Sequence, residues 1–243
     1  TNSEITNLTN NDTISGTAGN DFGRGIRVQS STLTTLTNDG TISGTAAVDN
    51  GQGIRLTSGS TITTLTNTGT ISGTAVTGSD GEGIYVLTGS TMTNLTNDGT
   101  ISGTAGTNFG GGLLISNNST LGTLTNRGTI SGTATVDQGQ GIRLFRSSTI
   151  TNLINTGDIT GTAGNNTGTG VQLSGSNITT LTNNGIISAT AGNDGAMGID
   201  LVLNSATITN LINTGTISAT AGNNNGIGTV SYTHLTLPTM FEV

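Results

Sequence analysis

The chain has 243 residues with 6 Lys+Arg and 13 Asp+Glu, a net charge of −7, 40 Gly and 53 Thr, and neither Cys nor Trp. No run of 18 apolar residues reads as a transmembrane helix, and the opening TNSEITNLTN has neither the basic nor the apolar region of a signal peptide. The acidic balance without any Lys argues against a nucleic-acid binder, the absence of Cys removes disulfides and thiolate chemistry, and 30% hydrophobic content with a single Pro argues against a disordered chain.

Taken in chain order, the elements repeat. The segment T-I-S-G-T-A places an Ile at Ile14, Ile42, Ile71, Ile101, Ile130, Ile159, Ile187 and Ile217, at spacings of 28 to 30 residues. Each copy starts with a first strand. It carries Leu8, Leu36, Leu65, Leu95, Leu124, Leu153, Leu181 or Leu211 six positions before that Ile, and another apolar residue three positions earlier still, as in Ile62 and Met92. The step of three departs from strand alternation and suggests an extra corner. An N-x-G signal then predicts a bend, as at Gly99 and Gly128. The second strand alternates Ile130, Gly132 and Ala134 with Thr129, Ser131 and Thr133, a period of two. A loop of variable length follows. The third strand is G-I-x-Φ (Φ, an aliphatic residue), as in Ile54–Leu56, Ile142–Leu144 and Ile199–Leu201.

One such unit cannot bury its apolar face alone, but stacked copies can. The predicted fold is therefore all-β: a right-handed parallel β-helix of eight coils of about 29 residues. The hand follows from the general crossover preference and from the family resemblance given below, not from the periodicity. Stacking at ~4.8 Å gives a length of roughly 38 Å. Propeller blades are longer and rich in aromatic signatures, and calcium-binding β-rolls repeat every nine residues, so neither fits the period.

Three columns are candidates for chemistry. Asn10, Asn38, Asn67, Asn97, Asn126, Asn155, Asn183 and Asn213 recur two residues after the Leu and are expected to form a structural amide ladder. Asp21, Asp49, Asn108, Asp137, Asn166, Asp194 and Asn224, with Asp80 nearby, occupy the variable loop, either as Asx-turn residues or as ligands of a divalent cation. Arg27, Arg55 and Arg143 follow the G-I Ile and point outward, as solvated residues that oppose edge pairing or as contacts for an acidic glycan or a protein. No catalytic constellation is present. The single His is His234, outside the repeats, and the carboxylates are spread at one or two per coil. No metal or cofactor is expected.

The units STMTNLTNDGTISGTA (90–105) and STITNLINTGDITGTA (148–163) resemble the passenger repeats of autotransporters, the type V secreted β-helix proteins of Gram-negative outer membranes. The resemblance is one of pattern. It implies display at the cell surface, contact with host or neighbouring-cell glycans or proteins, and membrane attachment only through a C-terminal barrel that this sequence does not contain. Residues 1–230 read as the solenoid, and as a fragment of a longer passenger whose open coil edges could self-associate. Residues 231–243 break the repeat, and VSYTHLTLPT resembles the translation of a sequencing adaptor. The alternative functional expectations are a polysaccharide-active β-helix enzyme and a calcium-stabilised exported repeat.

Overall fold

The computed structural model describes residues 3–203, 205–223 and 226–227, and they form a parallel β-solenoid of eight coils with no helix. Asn224 and the stretch 231–243 lie outside the described residues. Each coil contributes one strand to each of three eight-stranded sheets. Sheet A runs from Ser3–Asn10 to Thr207–Asn213, sheet B from Thr13–Ala18 to Thr216–Ala221, and sheet C from Gly23–Gln29 to Gly226–Ile227. Neighbouring strands within a sheet are consecutive coils, so every strand pairs with the equivalent strand about 29 residues away.

Register follows the repeat residue for residue. Leu95 pairs with Leu65 and Leu124, and Ile101 with Ile71 and Ile130. The predicted phase break lies inside a single strand of sheet A: Thr61–Asn67 pairs at Ile62 and Thr64 but skips Thr63, so the step of three is a kink rather than a corner between strands. Both apolar residues of the strand therefore reach the interior. The core is one aliphatic column per position, with Leu36, Ile42, Ile54, Ile71, Leu95, Leu124, Ile130 and Ile159 at 1% exposure or less.

The amide column is the second axis of the fold. Asn38, Asn67, Asn97, Asn126, Asn155 and Asn183 are fully buried, and each Nδ2 donates to the Oδ1 of the next at 2.7–2.8 Å. Each amide also closes its own bend. Asn97 Nδ2 donates to the Gly99 carbonyl at 3.2 Å and to the Thr129 carbonyl of the next coil at 3.1 Å. The interior polar groups are thereby satisfied by translation alone, which is how a solenoid can hold Asn in a dry core.

Many glycines answer to a constraint that periodicity does not show. Sheets B and C meet backbone to backbone. A Cβ on Gly103 of sheet B would overlap the carbonyl oxygens of Gly111 and Gly81, and one on Gly81 of sheet C would overlap that of Thr104. In the seventh coil these two positions are Ala189 and Ala196, which pack together with Ala191 as a small separate cluster.

Candidate functional site

The outer face of sheet C differs from the other two. Sheets A and B present mainly Thr and Ser to solvent. Gly51 and Gly53 face inward, because a Cβ on either would strike sheet B, and Gln52 between them faces outward. Pairing then skips Gly53, Ile54 and Leu56 enter the core, and Arg55 faces outward. The skip turns two residues three apart in sequence toward the same side, and Arg55 Nη1 donates to Gln52 Oε1 at 3.1 Å.

Two outward columns result. The one after the G-I Ile contains Arg27, Arg55, Tyr85, Leu114, Arg143, Gln172 and Asp200, in register. The other contains Arg24, Gln52, Glu82, Gly111, Gln140 and Thr169. Sequence reasoning did not single out this second column. Its signal is the polar residue between two glycines in G-x-G-I, visible at Gln52, Glu82 and Gln140. Every described aromatic side chain, Phe22, Tyr85, Phe109 and Phe145, lies on or beside this face, as do Arg24, Arg27, Arg55, Arg143 and Arg146. The sixth arginine, Arg127, makes an exposed ion pair with Asp98 at 3.0 Å on a sheet A bend.

The face divides at Gly111. There the edge of the Phe109 ring lies over the strand, and a Cβ at position 111 would sit 2.5 Å from it. On one side, Arg24 Nε and Arg55 Nη1 both donate to Gln52 Oε1 at 3.1 Å, and Gln52 Nε2 donates to Glu82 Oε2 at 3.1 Å. Arg24 stacks 4.3 Å from the Phe22 centroid, and Arg55 5.4 Å from that of Tyr85. Burial, then the neighbouring Asp80 carboxylate, pushes the Glu82 carboxyl up to about 8, so it is largely protonated at pH 7. On the other side, Arg143 lies 5.2 Å from Phe109 and 4.9 Å from Phe145. Gln140 Nε2 donates to Gln172, which donates to Asp200, both at 2.9 Å.

Side-chain atoms that are buried without a hydrogen-bond partner concentrate here. They are Arg55 Nε, Glu82 Oε1, Gln140 Oε1, Arg143 Nε and Thr169 Oγ1. Burial also pulls Arg55 and Arg143 below the usual arginine range, a desolvation cost that leaves both guanidinium groups charged. Arg27, by contrast, is exposed.

The Asp/Asn column lies on the bends between sheets B and C. Among the described residues no group of three or more His, Cys, Asp or Glu is placed to hold a metal ion. The bend does bring part of this column to the arginine face. Asn166 Nδ2 donates to Asp137 Oδ1 at 2.6 Å, and these two, with Asn108, Gln138, Phe109 and Arg143, line an open depression of about 420 Å³. Comparison with family models, with curated proteins and with solved structures returned no match.

Proposed function

We propose that the chain is a segment of a surface-exposed, autotransporter-type β-solenoid, displayed by a Gram-negative bacterium, that adheres through the outer face of sheet C to an anionic glycan or protein on a neighbouring or host surface. The carrying observation is the segregation of the described aromatic rings and all but one arginine onto one of three faces. Arginines stacked on rings and partly stripped of water have already met much of the ordering cost of binding, so an incoming anion finds a preorganised cation. Repetition along the axis lets weak contacts add through multivalency. Binding is favoured over bond cleavage because Glu82, the carboxyl held protonated, is only 1% exposed and out of a substrate's reach.

The test is binding of the purified protein to intact cells and to immobilised acidic and neutral glycans. A double substitution Arg55→Gln/Arg143→Gln is expected to abolish binding, while Arg127→Gln leaves it intact. Binding that survives the double substitution refutes the assignment to this face.

A further inference from the structure

The half of the face beyond Gly111 carries a more specific inference, which rests on the binding role of sheet C. Arg143 is half-buried, stands between the rings of Phe109 and Phe145, and makes no hydrogen bond; its Nε is among the buried atoms without a partner. Among the described residues no carboxylate lies within ion-pair distance of it, although Asp80 acts on it at longer range. Gln140 on its strand and Thr169, paired with it in register, are fully buried and, like Glu82, beyond a ligand's reach, so Arg143 is the group of these three that lines the depression.

The rim of the depression has the opposite character. Asn108, Asp137, Gln138 and Asn166 offer amide and carboxylate groups that accept from and donate to hydroxyls, and Phe109 supplies an apolar wall. The depression, about 420 Å³ and open to solvent, is a shallow surface site suited to one unit of a longer chain. One cation, several hydroxyl-matching groups and an apolar wall describe a monoanionic sugar. Asp80 and Asp137 add negative charge beside Arg143, so the depression suits a sugar unit with one carboxylate and disfavours one carrying several sulfates. We propose that this depression binds a carboxylated sugar residue of an acidic glycan, with the Arg143 guanidinium taking the carboxylate in a two-point contact and the Asp137–Asn166 pair taking ring hydroxyls.

The experiment is calorimetric titration of the whole chain with short oligomers of galacturonate, glucuronate and mannuronate, with their methyl-esterified forms, and with a sulfated oligosaccharide and inorganic sulfate. At least one uronate oligomer should bind. Methyl esterification or Arg143→Gln should weaken that binding tenfold or more. Arg143→Lys, which keeps the charge but loses the planar fork, should fall between, and Arg127→Gln, on another face, should change it less than twofold, while Arg55→Gln reads out any binding that does not pass through Arg143. An unchanged circular dichroism spectrum establishes that each variant is folded, and should Arg143→Gln fail to fold, Arg143→Lys and the esterified ligand still decide. Equal affinity for free and esterified oligomers, full affinity in Arg143→Gln, or sulfate competing as well as uronate overturns the proposal. If no uronate binds, or if binding depends on Arg55 and not on Arg143, this site is refuted while a sheet C binding role survives. If no ligand of any class depends on either arginine, both readings fail.

Discussion

Glu82→Gln is the substitution whose effect can be worked most directly from the structure. Glu82 lies 1% exposed on sheet C, accepts from Gln52 at 3.1 Å through Oε2, and has no partner at Oε1. Burial, with Asp80 acting in the same direction, outweighs the Gln52 hydrogen bond and the charges of Arg55 and Arg24, and lifts its titration from 4.5 to about 8. Between those two values the folded protein keeps a proton that the unfolded chain has released, so stability falls as pH rises through the window. Below 4.5 both states are protonated and the advantage is complete; above about 8 both are ionised and it is gone. At about 1.36 kcal/mol per unit, the window sets a ceiling of roughly 5 kcal/mol, with a realised loss of about 3–5 kcal/mol. Gln mimics the protonated side chain and does not titrate. Urea unfolding followed by circular dichroism from pH 5 to 9 should show wild type losing this much relative to Glu82→Gln. Because Asp80, itself raised by burial, acts on Glu82, the comparison is repeated in an Asp80→Asn background, where the divergence should persist. Because solenoid coils can open locally, amide exchange at Gly81–Val86 should show the same divergence. Parallel curves, or a wild type that gains on the variant with rising pH, would refute the argument.

Other substitutions probe the remaining contacts. Asn97→Ala removes bonds to Asn67, Asn126, Gly99 and Thr129 and should cost about 3 kcal/mol in chemical denaturation, far more than Ala at a surface Thr. Gly103→Ala forces sheets B and C apart at two carbonyl oxygens and should lower the thermal midpoint by more than Gly19→Ala, at an exposed position where a Cβ meets nothing. Gly111→Ala displaces only the Phe109 ring, so it should disturb uronate binding at the Arg143 depression while leaving the unfolding midpoint within a few degrees of wild type. Arg127→Ala breaks an exposed ion pair and should change stability by less than about 1 kcal/mol.

Much of the fold is legible in the residues because a solenoid is nearly one-dimensional. Its register is set by aligning each copy on the last, so Ile101 finds Ile71 and Ile130 without any long-range choice. The amide column was equally readable: an Asn at fixed offset in a stack must meet its own copy. The site was not. The sequence placed Arg55 and Arg143 outward, as the structure does, but offered no reason for Gln52, Glu82 and Gln140 to join them. That depends on the skipped pairing at the second glycine of G-x-G-I, which turns residues three apart to one side. The expectation that outward arginines would be solvated fits exposed Arg27, whereas Arg55 and Arg143 are half-buried against aromatic rings.

The sequence by itself determined the period, the three-strand unit, the aliphatic interior and the Asn ladder, because each depends only on a residue and its copy in the next coil. Tertiary structure alone decided how closely sheets B and C approach, which explains Gly103 and Gly81. It also decided which loop residues reach the arginine column and which polar atoms lose water without gaining a partner. Those outcomes depend on how the three faces of one coil fold around each other, an arrangement in which residues meet that share neither a repeat position nor a strand.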